Sequence, residues 1–413
     1  MIYLNIYIQC LFPYMDEKWF KLLSYWFLLF TIGFGWFILA PLVPELSSSF
    51  NVGLSSILLL VSTYGYTMVI LGLLAGWLSA KFTVKSSLYT AAGLSIIGLI
   101  GRALSPDYLS FLVTGIIAAA AYPLAMAPVG SVADSLFHDR SHTVIGISVG
   151  MLFLGMAFGS FFGPGIFTAL GLRGAMWIPV ILAIIAVIWI IPGIHGYPTF
   201  YKGRSLRGSF RIGMVKNWYI GLAISAMSVM FGSLGSTVLL LHHMATAQAL
   251  AYGGLLGGLA FLGSALGALI LPPVFEKYNK IRTGLITTGV LMFIFTAVMT
   301  LSLSYSTIII LIGAGYFFFG IFGNAYWSMA MTLTTRYVTD PAQAGFATSM
   351  YSVFTNLGVA FIPVFLGPEF GSLATITVGV SAVLAIEVVA MILAPFLKVR
   401  AAGAQETTKV GER

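Results

Sequence analysis

The chain has 413 residues and a formal net charge of +8, and only 8% of it is charged against 59% hydrophobic. A soluble domain carries about 25% charged residues, so this composition cannot cover a water-facing surface and excludes a soluble enzyme. The basic residues are spread thinly rather than gathered on one face, which excludes a nucleic-acid-binding patch. A single cysteine, Cys10, leaves neither an intramolecular disulfide nor a cysteine metal site.

The first fourteen residues lack a basic leader region and are too short to span a bilayer. Met15, followed by Asp16, Glu17 and Lys18, reads as an alternative start. A spanning helix needs about 20 apolar residues, and its backbone must satisfy itself within lipid. Twelve runs qualify, near 22–43, 54–79, 86–105, 109–133, 143–170, 174–192, 218–241, 250–272, 283–304, 307–335, 343–366 and 371–396. These are spans 1 to 12. Orientation follows from the loop cations. Of the 20 Lys and Arg, one side collects all but Arg102 and Arg173, beginning with Lys18, Lys21, Lys81 and Lys85 and ending with Arg413. That split places both termini in the cytoplasm. The organisation expected is a cytoplasmic extension over 1–21, a six-helix half over 22–192, a basic cytoplasmic loop over 193–217, a second half over 218–397, and a tail over 398–413.

The two halves repeat one another. At a shift of 199 residues Gly146 falls on Gly345, Met151 on Met350, Gly159 on Gly358, Phe162 on Phe361 and Pro164 on Pro363. Near a shift of 196–197, Phe34–Gly35 meets Phe231–Gly232 and Lys81 meets Lys277. Such duplication predicts an all-α membrane fold of twelve helices in two pseudo-symmetric halves, with the solute site at their interface.

After span 2 the chain reads Gly76-Trp-Leu78-Ser-Ala80-Lys81-Phe-Thr83-Val-Lys85. In span 5, Gly150 is followed by Gly159 and then Gly163-Pro164. Both stretches resemble signatures of the major facilitator superfamily, the first with Ala80 and Thr83 where the family carries aspartate and glycine. The resemblance covers residues 20–397. It implies alternating access, with Gly76, Lys81, Lys85, Asp134, Arg140, Gly150, Gly159, Gly163, Pro164 and Glu276 serving the conformational change. Span 5 is then expected at the moving interface, where glycines let helices approach closely.

The resemblance also implies that spans 1, 4, 7 and 10 line the cavity. Candidate contacts are Tyr122 and Met126 in span 4, Ser228 and Ser236 in span 7, and Tyr316, Asn324 and Trp327 at helical spacing in span 10. Small residues make room, aromatic rings supply flat contact area, and hydroxyls or an amide fix orientation.

Ionisable groups within spans usually carry function. Those read here are Asp134 as a structural partner of Arg140, Glu387 in span 12 as a neutral hydrogen-bonded carboxyl, and His242–His243 at the end of span 7. No Arg or Lys lies inside spans 1, 4, 7 or 10, which disfavours phosphorylated solutes. The expected function is secondary transport of a small organic solute, as proton-linked export, by a multi-pass monomer of the plasma membrane without cofactor, metal or nucleic acid. Facilitated diffusion or symport of a metabolite is the alternative. A non-transporting receptor or scaffold of the same fold is the alternative of another class.

Overall fold

The structure is a computed structural model describing residues 16–81, 84–137, 141–194, 211–335, 337 and 341–399. The helices run as expected: Glu17–Phe37 for span 1, Leu54–Lys81 for span 2, Val84–Leu104 for span 3 and Tyr108–Met126 for span 4. Spans 7 to 12 are Val215–Leu241, Thr246–Lys277, Ile281–Tyr305, Ile309–Thr335, Pro341–Leu366 and Ile376–Leu393. Span 1 starts inside the expected extension, where the Asp16 carboxylate accepts from the backbone N–H of Lys18 at 3.0 Å and Lys21 pairs with Glu17 at 2.7 Å.

Spans 5 and 6 are one helical stretch, Ser141–Gly193, of 53 residues. Straight, it would be about 80 Å long, far beyond a bilayer. It doubles back at Gly171, whose φ of 68° is open to glycine and costly for other residues. Both limbs lie against span 1: an added Cβ at Gly155 would meet Phe30, while Trp189 on the returning limb stacks obliquely on Phe20 and Phe27. Eleven helices among the described residues are long and apolar enough to cross a membrane, and this one crosses twice. Twelve crossings bring the described ends to one face of the bundle, here the terminal face; the opposite one is the far face.

Two apolar cores result. One is built from spans 1 to 6, joined by Val229, Phe261 and Val359 from the other half. The second is built from spans 7 to 12, joined by Leu58. The repeat is visible in the packing, because Gly159 sits on span 1 at Phe34 and Gly358 sits on span 7 at Leu222. The heights differ: Phe34 is near the end of its helix and Leu222 near the start of its own.

Among the described residues, the halves meet at a series of close approaches toward the far face. Gly254 and Gly257 of span 8 lie against Ser160 and Pro164 of span 5, and Gly258 lies against Phe161. Gly65 of span 2 lies against the backbone of Ala360 in span 11. Leu58 fills the space beside Gly367, and the Ser55 hydroxyl donates to Val364 O at 3.3 Å. The contact of spans 2 and 11 continues toward the terminal face as far as Gly72 and Val353. These contacts close the far face.

Candidate functional site

Span 4 is shaped by two prolines. Each lacks an N–H, so each leaves the carbonyl four residues earlier without its helical donor. Pro123 frees Ala119 O, which accepts from the Thr67 hydroxyl of span 2 at 3.0 Å. Pro128 frees Leu124 O, which accepts from the Ser87 hydroxyl of span 3 at 2.7 Å. Tyr25 of span 1 donates to the neighbouring Ala125 O at 2.9 Å. Spans 1, 2 and 3 therefore each hold one point of the broken helix. Between the breaks, the short segment Ala121–Met126 turns Tyr122 toward span 1 and the other half.

Tyr122 meets an aromatic platform there. Trp36 of span 1 and Tyr64 of span 2 stack with ring centres 4.4 Å apart and planes 5° from parallel. The Trp36 indole N–H donates to Val61 O at 2.7 Å, which fixes the ring. Tyr122 tilts against both, at 5.5 Å from Trp36 and 6.4 Å from Tyr64. From the second half, the Asn356 side chain of span 11 lies near the Tyr122 hydroxyl. The Asn356 amide N–H donates to Ser352 O at 2.9 Å. Phe37, next to Trp36, packs edge-on against Phe261 of span 8 at 4.3 Å. Phe153 of span 5 lies 6.2 Å from the same Phe261. Flat rings, a phenol and an amide thus converge where the halves touch.

Behind the platform lies a charge that the loop count misplaces. Arg102 belongs to the last turn of span 3 and is 2% exposed. Its Nη2 donates to Gly35 O at 2.7 Å, a carbonyl orphaned by the end of span 1. The guanidinium lies 5.8 Å from the Phe111 ring centre and beside the Tyr64 hydroxyl. Sequence counting reads it as a loop cation because it stands two residues from a helix end. Its inward direction depends on the approach of span 1, which no linear pattern displays.

The other expected site residues are dispersed. The Tyr316 hydroxyl donates to Phe231 O at 3.0 Å, and the Asn324 amide donates to the Ser264 hydroxyl at 2.6 Å. Both bonds stay inside the second half and join span 10 to spans 7 and 8. Trp327 packs on Tyr351 of span 11 at 5.3 Å and is partly buried. Ser228 donates to Ile224 O in its own helix, and Ser236 is packed beneath Gly253. Met126 lies partly buried against the first core. Of this set, Tyr122 is the one brought to the aromatic platform. Helical spacing placed Tyr316, Asn324 and Trp327 in one stripe, but span 8 covers much of that stripe.

The conformational candidates also separate. Gly159 and Gly163 accommodate Phe34, Ile38 and Pro41 of span 1, so they serve packing within the first half. Gly150 has open space where a Cβ would stand. Pro164 alone of the signature touches the other half, at Gly254. Lys85 is half-buried at the start of span 3 and Glu276 is exposed near the end of span 8. Gly76, Lys81, Asp134 and Arg140 fall among side chains outside the described set, as do Cys10 and the rest of residues 1–15.

Glu387 is completely buried, with neither carboxyl oxygen hydrogen-bonded, unlike the bonded carboxyl expected. Tyr219 and Tyr326 flank it but donate to Ile386 O and Ala390 O. An unsatisfied buried carboxyl contributes little, and an apolar replacement of similar volume is often neutral or stabilising by about 1–4 kcal/mol. Glu387→Met is therefore expected to keep or raise the midpoint of thermal unfolding in detergent. Glu387→Lys, an unpaired buried cation, should lower it sharply, and a lowered midpoint for Glu387→Met would show a partner for the carboxyl. His242 ends span 7 and His243 follows with φ 60°.

The comparisons with known proteins agree with this architecture. No curated protein sequence matches the chain. Among solved structures, the chain is similar to a crystal structure of a mutant of the nucleoside transporter NupG, at a TM-score of 0.70 and 13% identity, covering 92% of this chain and 100% of that one. The family model described as Major Facilitator Superfamily matches residues 25–363, most of both six-helix halves. The chain therefore belongs to the Major Facilitator Superfamily, a family of secondary transporters.

Proposed function

We propose that the protein carries a small, ring-bearing organic solute across the plasma membrane by alternating access, with both termini in the cytoplasm. The observation that carries this reading is the meeting of the Trp36–Tyr64–Tyr122 cluster with Asn356 between the halves. A flat solute packed on the partly exposed Tyr122 at the edge of the Trp36–Tyr64 stack, and bonded to phenol and amide, would touch both halves at once. Its binding then differs between the open and closed arrangements, which is the condition for a ligand to drive the change. The nucleoside in the description of NupG is one solute of this shape. The Gly150…Gly159…Gly163-Pro164 pattern supports proton-linked export as the coupling.

The test is uptake of a panel of radiolabelled nucleosides, aromatic acids and aromatic amides into proteoliposomes, with and without an imposed pH gradient. Saturable uptake accelerated by the gradient is expected. Saturable uptake indifferent to the gradient would replace proton linkage by facilitated diffusion. Absence of uptake for every ring-bearing compound would leave a binding or scaffolding role and overturn the reading. A second expectation concerns the contact across the halves. Tyr122→Phe removes a hydroxyl whose hydrogen bond is worth about 0.5–1.5 kcal/mol, and should raise KM without lowering the amount of protein in the membrane.

A further inference from the structure

Arg102 is a full positive charge enclosed in the first half. Among the described residues no carboxylate faces it; its neighbours are Tyr64, Phe111 and the Gly35 carbonyl. A guanidinium offers five N–H donors. One is accounted for by Gly35, the Tyr64 hydroxyl is near another, and the Nε donor is buried without a partner. Burying an ion without its counter-charge is costly.

A purely structural role does not require that charge. The tie to Gly35 would be made as well by a neutral amide. The C-terminal carbonyls of span 3 present roughly half a negative charge, which offsets the guanidinium only in part. The remaining positive potential reaches the aromatic platform directly, because Arg102 holds the residue next to Trp36 and lies against Tyr64. In a water-poor setting such a potential acts over a longer range than in bulk solvent. It also polarises the Tyr64 phenol, whose hydroxyl becomes a stronger donor when its oxygen lies beside a cation.

We infer that Arg102, acting with the Tyr64 hydroxyl, selects for negative charge on the solute, so that the preferred solute is an aromatic or heteroaromatic monoanion such as a ring carboxylate. This rests on the proposed site at Trp36, Tyr64 and Tyr122. Trp36 and Tyr64 cover each other's faces and are each 2% exposed while the halves touch. As the halves part, the solute ring packs on the partly exposed Tyr122 and the edge of that stack, with its carboxylate directed to the Tyr64 edge, toward Arg102. The solute thereby supplies the counter-charge that the protein lacks. Charge-assisted bonds of this kind are about twice as strong as neutral ones, and a single guanidinium with no competing carboxylate suits one negative charge.

The experiment compares acids with their own neutral amides. Purified full-length protein in nanodiscs is titrated with benzoate, nicotinate and indole-3-carboxylate, and with the corresponding primary amides, at pH 7.5 by calorimetry. At least one acid is expected to bind about tenfold more tightly than its amide. Arg102→Gln should bring that acid to the amide's affinity, and Arg102→Lys should restore part of the gap. Should Arg102→Gln fail to fold, Tyr64→Phe keeps the ring and is expected to narrow the same gap. The inference is overturned if no acid exceeds its amide, or if the gap survives Arg102→Gln or, in its place, Tyr64→Phe. Tyr122→Ala separates this from failure of the site itself. If acid and amide bind alike and both are weakened by Tyr122→Ala, the site stands and the charge preference falls. If Tyr122→Ala changes neither, the site is misplaced.

Discussion

Gly254→Val and Gly65→Val are expected to abolish most transport while leaving the protein folded and inserted. An added Cβ at Gly254 would stand 2.6 Å from Ser160 O and 2.8 Å from Pro164 Cγ, both in the opposite half. At Gly65 the nearest atom is Ala360 N at 2.7 Å, again across the interface. Backbone atoms cannot swing aside, so the halves must separate there. Overpacking of this kind costs about 1–3 kcal/mol. The penalty falls on the state closed at the far face and is relieved when that face opens. An energy of that size shifts a two-state equilibrium about 5- to 150-fold. The population should move to the far-face-open state and stay there. The reporter is Leu58→Cys in a background without Cys10, since Leu58 is fully buried beside Gly367 when the far face is closed. Maleimide should label it several-fold faster in the Gly254→Val and Gly65→Val proteins. Unchanged labelling with normal transport would mean that the contacts do not gate.

Gly159→Val provides the contrast. Its added side chain would press on Phe34 O at 2.6 Å and Ile38 N at 2.9 Å, both in its own half. No movement between halves relieves that contact, so both conformations are penalised alike. Lower membrane levels and a lower unfolding midpoint are expected, with turnover per folded molecule little changed. The signature in span 5 is thus readable as a demand for close approach, but the partner it demands is span 1. The glycines that face the other half, Gly254, Gly257 and Gly258, belong to a GGLLGGL run in span 8 that no familiar signature marks.

The fold was legible because lipid imposes length and polarity on every span, and a duplication shows itself in residue spacing. Gly171 was legible as a turn, since it stands between two runs too long to be one crossing. Of the proposed site, Tyr122 alone was legible. Its partners Trp36, Tyr64 and Asn356 lie on spans 1, 2 and 11, and helical periodicity within one span says nothing about which neighbour covers a face. The prolines of span 4 held the better signal. Pro123 and Pro128 each require an outside donor for a freed carbonyl, and Thr67 and Ser87 supply them. That requirement forces spans 2 and 3 against span 4 and so places Tyr64 beside Tyr122, with Arg102 behind Tyr64. Arg102 shows the limit of counting loop charges: a long side chain two residues from a helix end can enter the protein as easily as leave it.

Tyr122→Ala and Asn324→Ala should fail in different ways. Tyr122 is partly exposed, rests on Trp36 and lies near Asn356 of the other half. Removing an aromatic anchor of this kind typically weakens binding by about 2–4 kcal/mol, and here part of the ring stays supported by the Trp36–Tyr64 stack. We expect the lower end, about 2 kcal/mol or thirtyfold in Kd, with a small change in the unfolding midpoint. Asn324 is buried between spans 10 and 8, donating to Ser264, which itself donates to Ala260 O at 2.8 Å. Its loss removes one buried hydrogen bond, about 0.5–1.5 kcal/mol of stability, and leaves the proposed site untouched. Asn324→Ala should therefore lower the unfolding midpoint and leave Kd within about a factor of two, well below the effect of an anchor. Calorimetric titration and thermal unfolding on the same two preparations decide it. A large Kd change for Asn324→Ala with none for Tyr122→Ala would move the solute site from the Trp36 platform to the span 8–span 10 seam.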